Sequence, residues 1–228
     1  MTKATDLQQV VKALEDDIIF GRMAPGARLV EDQLMDRFGA TRHVVRSALQ
    51  RLEQIGVVSK ELNKGAAVRA FSIDEVRQVY EVRELLQRQA ALKIKLPAPP
   101  ALIAELEEIH QRYCRHIDDG HLRGIHEMND LFHSRFFAAC GNAYLFEEIK
   151  RFMWLTYAIR ANNLAVPSLQ RISRAHHALM IELLKGEDNW TLAQLCVDHI
   201  QPSKLAYIRS HEERAVAPAP ALGLAVNQ

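Results

Sequence analysis

Two arginines four residues apart, Arg42 and Arg46 in the stretch FGATRHVVRSAL, fall on one face of a helix, one turn above the other. A guanidinium there can donate two hydrogen bonds to guanine O6 and N7, or clamp a phosphate. Thr41, just before them, suits a helix N-cap, and the free N–H groups at a helix start suit a phosphate. A second set lies far downstream. Asn129 and His133 are four apart in HEMNDLFHSRF, His177 lies in SRAHHALMIELLKGED, and His199 in CVDHIQ. An amide oxygen and imidazole nitrogens all bind first-row divalent ions, and three helices can send these four residues to one point inside a bundle. Both sets have plainer readings. The arginines can form a solvated face, with Arg46 paired to Glu53. The histidines, scattered over 70 residues beside Phe132 and Phe136, can be ordinary core residues.

These residues need elements to position them. Residues 7–19 space Leu7, Val10, Val11, Leu14 and Ile18 as one helix, ended by Gly21. Pro25-Gly26 marks a turn. A short helix over 31–38 carries Leu34, Met35 and Phe38, and Gly39 breaks it. A third helix, capped by Thr41, buries Val45, Ala48, Leu49, Leu52 and Ile55 and leaves Arg42, His43, Arg46 and Gln50 on its other side. VVSKELNKGAAVR then reads as two short strands around Asn63-Lys64-Gly65, with Lys64 at the tip. Three helices and a two-stranded wing make a winged helix-turn-helix over residues 1–71. In such a motif the N-terminal part of the second helix of the helix-turn-helix enters the major groove of double-stranded DNA.

From Ser72 the pattern is all helical, with helices expected near 73–95, 99–119, 121–140, 144–164, 168–185 and 189–210. Residues 72–212 therefore form a helical domain, and the low-complexity end AVAPAPALGLAVNQ places a disordered tail over 213–228. The fold class is mainly α.

The totals agree with this division. The chain has 228 residues, 48% hydrophobic, with a net charge of only +1. Residues 42–69, however, carry 6 Lys and Arg against 2 Asp and Glu, a local +4 that suits a nucleic-acid module. Cys114, Cys140 and Cys196 have no CxxC spacing and read as reduced, buried thiols. With no signal-peptide core and no apolar run able to cross a bilayer, the expectation is a cytoplasmic protein with no membrane partner.

The N-terminal region resembles the DNA-binding domain of the GntR family of bacterial transcription regulators. The resemblance rests on Pro25-Gly26, Glu31, Ala40-Thr41-Arg42, Arg46, Ala48-Leu49, and Leu52-Glu53 to Gly56. It implies that Thr41, Arg42, His43, Arg46 and Lys64 contact DNA. One departure is Asp32, where some members carry a DNA-contacting arginine. The C-terminal part resembles the all-helical ligand-binding domain of the FadR-type subfamily, through Tyr80 and Arg83, NDLFHSRFFAACGN, and the run from His177 through Asp188 to His199. That resemblance implies a divalent metal, zinc first, on Asn129, His133, His177 and His199. Asn129 replaces the more usual Asp, and Asp130 and His176 stand as neighbouring alternatives. A small carboxylic acid effector would complete the coordination, with Arg83 as a second anchor or, on the plainer reading, a structural ion pair. A homodimer on a palindromic operator follows for such a regulator. The competing class is a metal-dependent helical-bundle enzyme, suggested faintly by Glu107-x-x-His110 and Asp130-x-x-His133. A DNA-binding dimer whose bundle binds no ligand is the third possibility.

Overall fold

The computed structural model describes residues 6–61, 65–157, 159–160 and 165–216. Helix α1 (Leu7–Ile19) opens on a capping box between Asp6 and Gln9. Strand β1 (Arg28–Leu29) follows, then α2 (Glu31–Phe38), α3 (Arg42–Gln54), β2 (Val58–Glu61) and β3 (Gly65–Val68). Gly39 ends α2 at φ 57°, a left-handed conformation that glycine adopts without steric cost. Thr41 caps α3, its hydroxyl accepting from the Val44 N–H at 3.4 Å. One face of each helix closes a common core of Val10, Leu14, Leu34, Val45, Leu49 and Leu52, sealed by Val58 and Val68 of the wing. Burial of each such side chain contributes roughly 1.5–3 kcal/mol.

The wing is antiparallel in the order β1-β3-β2, so the sheet has three strands rather than the expected two. β1 is two residues long, too short for any periodicity to reveal. The turn of the hairpin, with Lys64, lies outside the described residues.

The remainder is helical: α4 (Ile73–Lys93), α5 (Pro100–Asp118), α6 (Leu122–Ala138), α7 (Ala143–Leu155), α8 (Pro167–Lys185) and α9 (Asn189–Val216). α4 starts at a capping box between Ser72 and Glu75, α7 at an Asn142 cap, and α5 and α8 at prolines in their first turn. Their apolar faces meet in one core that includes Tyr113, Phe132, Phe136, Phe137, Ile181 and Leu192.

Two expectations differ from the observed elements. The helix expected over 144–164 breaks after Leu155. Thr156 adopts φ −96° and ψ 13°, and its hydroxyl donates to the Phe152 carbonyl at 2.8 Å. Such a back-bond loosens the helical ladder. Tyr157, Ile159 and Arg160 then resume helical turns, and residues 161–164 lie outside the described set. The last helix runs on to Val216, so the first residues assigned to the tail are helical; 217–228 lie outside the described residues.

The two halves touch at defined points. Tyr207 donates to the Phe71 carbonyl at 2.9 Å and pins the connection between them. Arg123 of α6 pairs with Asp16 of α1, and the Phe20 ring meets His126 edge-on at 5.7 Å. Gly56 sits at φ +81°, and a Cβ there would come within 2.6 Å of Leu155 Cδ1. Glycine is required here for backbone conformation and for this close approach alike. Among the described residues, no helix is long and apolar enough to cross a membrane.

Candidate nucleic-acid interface and metal centre

The N-terminal turn of α3 projects Arg42, His43 and Arg46 to solvent beside the start of α2. The plain reading of Arg46 as a partner of Glu53 does not hold. Arg46 Nε donates to both oxygens of Glu31, at 3.0 and 2.9 Å, while Glu53 pairs with Lys60 at 3.4 Å. Arg42 Nη2 donates to Asp32 at 2.7 Å. Each arginine is thus held by a carboxylate from α2. Sequence spacing missed both pairs because they join residues 10 and 15 apart across the turn. All four side chains remain substantially exposed.

The second set meets in the bundle. Asn129 and His133 share the inner face of α6, His177 comes from the middle of α8 and His199 from α9. His133 Nε2 lies 3.3 Å from His177 Nε2 and 3.0 Å from His199 Nε2. All three residues offer a ligand atom within 4.8 Å of one another. Nitrogens coordinated tetrahedrally at about 2.0–2.1 Å stand about 3.3 Å apart, so the imidazole donor set fits an ion such as zinc. Protonation also suits it. Burial holds His133 and His177 well below the usual imidazole range and His199 down to about 3, with neighbouring imidazoles or guanidiniums adding to the effect. The rings are therefore neutral near pH 7, with lone pairs free for coordination.

Beside these rings is a cavity of about 50 Å³, bounded by Arg83, Gln87, Asn129, His133, Arg160, Ser173 and His199 among others. That volume holds a few waters or a compact small molecule. Arg83, from α4, is 3% exposed, and its Nε and Nη1 have no hydrogen-bond partner among the described residues. Burial pulls its pKa down to about 10, which still leaves it charged at neutral pH. Arg160, four residues past Thr156, reaches the same cavity. Its Nη1 donates to Asp130 at 2.9 Å and its Nη2 to the Met153 carbonyl at 3.1 Å. Burial is the largest single influence and opposes its charge, but Asp130, Tyr157 and Tyr80 together outweigh it and raise its pKa. Pro202 interrupts α9 at the cavity wall, removing the N–H that would bond to the Asp198 carbonyl.

Of the neighbouring alternatives, Asp130 is engaged by Arg160 and Asn129 lines the cavity. The His176 ring lies 5.6 Å from that of His199, outside the three-histidine group. Sequence reasoning missed Arg160, Gln87 and Ser173. Buried polar side chains on amphipathic helices were the available signal, but Arg160 falls beyond the helix break. The carboxylates of the enzyme reading do not assemble a second site. Glu107 pairs with Lys185, Asp130 with Arg160, and His110 lies 3.5 Å from the Cys114 sulfur. Cys140 and Cys196 are buried free thiols, while Cys114 is only half-buried, contrary to expectation.

Known proteins share both halves. Residues 7–68 match the bacterial regulatory proteins of the gntR family, and residues 78–202 match the FCD domain. The HTH-type transcriptional regulator McbR of Escherichia coli K12 is 27% identical over 191 residues, 79% of this chain and 82% of McbR. The HTH-type transcriptional repressor RspR of the same strain is 28% identical over 127 residues, 55% of each chain. Among solved structures, E. coli McbR/YncC superposes with a TM-score of 0.72 at 22% identity, covering 90% of this chain and 98% of that one. A GntR protein from Rhodococcus sp. RHA1 superposes with a TM-score of 0.65 at 20% identity, covering 94% and 99%. At those identities the superpositions speak for the fold alone. With a GntR helix-turn-helix domain followed by an FCD domain over more than half its length, a pairing that fits the FadR-type subfamily, the chain belongs to the GntR family of bacterial transcription regulators.

Proposed function

We propose that this regulator acts as a homodimer on a palindromic operator and responds to a small carboxylic acid bound at a metal centre in the helical domain. Thr41, Arg42, His43, Arg46 and Lys64 contact the operator. His133, His177 and His199, with Asn129, hold one divalent ion per chain, zinc first. A bound divalent ion supplies positive charge and open positions for a carboxylate. Arg83 anchors the effector at its other end, and Arg160 exchanges part of its bond to Asp130 for the same ligand. A cytoplasmic location follows from this role. The observation that carries the reading is a cluster of three neutral imidazoles, two of which, His133 and His199, line one small cavity with two buried guanidiniums.

The chain itself supplies a route from that cavity to the DNA-binding half. The Arg160 guanidinium stands 5.2 Å from the Tyr157 ring centroid, Tyr157 meets His126 at 5.9 Å, and His126 meets Phe20 at the end of α1. A ligand that moves Arg160 therefore has packed side chains through which to bias the docking of α1.

The test is paired. Elemental analysis of protein purified without chelator should find one divalent ion per chain. Calorimetric titration of small mono- and dicarboxylic acids should then give tighter binding to the metal-loaded protein than to the chelator-treated form. Absence of metal under these conditions would sink the metal centre and leave Arg83 and Arg160 as the anchors. Sedimentation at micromolar concentration should find a dimer, and a monomer that binds a single half-site tightly would overturn the assembly.

A further inference from the structure

The two ion pairs at the start of α2 and α3 look alike but occupy different nitrogens. Glu31 engages Arg46 through Nε alone, with both carboxylate oxygens. Nη1 and Nη2, at the far end of the guanidinium, take no hydrogen bond among the described residues. Asp32 instead takes Nη2 of Arg42, so one of that residue's two terminal nitrogens is already occupied. Guanine O6 and N7 are matched by two parallel N–H donors. Arg46 carries such a pair free and held in place. In Arg42 one nitrogen of that pair already carries a carboxylate.

From these contacts we propose that Glu31 is a positioning residue that aims the terminal fork of Arg46 at a guanine and makes Arg46 discriminate against bare phosphate. Two physical effects combine. An arginine already held in one rotamer loses less conformational freedom when it binds. The Glu31 carboxylate also repels an approaching phosphate more strongly than a guanine edge, because O6 and N7 carry only partial charges. Glu31 is only about one-third exposed, so its charge is less screened than that of Asp32, which is 73% exposed. Asp32 sets a weaker condition on Arg42, through a single hydrogen bond in open solvent.

The inference rests on Arg46 being a DNA contact, and the experiment separates the two. A duplex is selected from a random pool with the full-length wild-type protein. Binding is then measured for that duplex, for its single-base-pair variants and for a scrambled duplex, across a salt series. The proteins compared are wild type, Arg46→Ala, Glu31→Ala and Glu31→Gln, with melting curves for each. Arg46→Ala should erase the preference at one G·C pair. Glu31→Ala should weaken preference at that same pair, lowering the ratio of selected to scrambled affinity by about tenfold. Its binding to the scrambled duplex should rise, with a salt slope steeper by about one. Glu31→Gln keeps an oxygen that accepts from Nε, so it should keep the base preference while still binding the scrambled duplex more tightly. If Arg46→Ala erases the preference and Glu31→Ala leaves it intact, Glu31 has no positioning role. If neither variant alters any base preference, Arg46 itself is not a reader and both ideas fall. If Glu31→Ala weakens all duplexes equally and lowers the melting temperature, Glu31 serves only the stability of α2, and the proposal is rejected.

Discussion

The exposed face of α3 and the bundle centre both gather positive groups, but they treat charge in opposite ways. On the face, Arg42 and Arg46 stand in solvent and each is met by a carboxylate of the adjacent helix. In the bundle, Arg83, Arg160 and His133 are buried and His199 half-buried around one cavity, with His177 buried behind His133, and the carboxylate that meets them is Asp130, held by Arg160. Exposed charges lose little on folding, so pairing there costs and gains little and leaves the arginines ready to exchange partners. Buried charges lose their hydration, and a buried guanidinium with unmet donors is destabilising until something anionic arrives. One region is therefore settled by its own carboxylates, whereas the other keeps buried donors unmet.

The largest effect that tests this contrast is on metal. His133→Ala or His199→Ala should cost about 100-fold or more in metal affinity, read by competition with a chromophoric chelator, because each removes a ligand from a small set. His176→Ala should cost far less. Loss of metal from His176→Ala with full retention by His133→Ala would mean that the helix register assigned to the metal ligands is wrong. DNA affinity for a scrambled duplex should be unaffected by either change.

A second test runs the other way. Arg46→Ala should weaken operator binding by about 1–3 kcal/mol if its contact with guanine is bidentate, with the metal content and the melting of the helical domain unchanged. Unchanged operator affinity in a folded protein would leave Arg46 as a solvated residue.

Acid should separate the regions by stability. The folded-state pKa values of His133, His177 and His199 are depressed by burial, so their contribution is fully present above the unfolded value of about 6.5. It is lost as pH falls toward the folded values, by up to about 1.4 kcal/mol per histidine per pH unit. Metal-free protein should thus melt at lower temperature at pH 5.5 than at pH 7.5, and bound metal should oppose the loss near neutrality. A melting temperature flat across that range would contradict the burial of neutral imidazoles.

The smallest expected effect lies between the regions. Arg123 and Asp16 form an ion pair whose arginine is 41% exposed, so a double-mutant cycle should find under about 1 kcal/mol for it. A much larger coupling would show that the halves do not fold as nearly separate cores.

How far the chain itself revealed this division can be argued from particular residues. Thr41 before an apolar 3.6-residue period and Gly39 after Phe38 are local signals, since a cap or a turn is satisfied by atoms a few residues away. They were legible without any tertiary information, as was the shared face of Asn129 and His133. The helix break at Thr156 was not, because a threonine in an apolar period is ordinary until its hydroxyl takes the Phe152 carbonyl. The strand β1 was not, because two residues have no period. The tertiary structure alone decided which carboxylates hold Arg42 and Arg46, and that Arg160 turns inward beside Arg83. It also brought His133 Nε2 of α6 within 3.3 Å of His177 Nε2 from α8 and 3.0 Å of His199 Nε2 from α9. Periodicity states which face of a helix is inward, but not the rotation and rise at which it meets its neighbours. Those follow from how Phe132, Phe136 and Ile181 interlock, and that packing is cooperative over residues far apart in the chain.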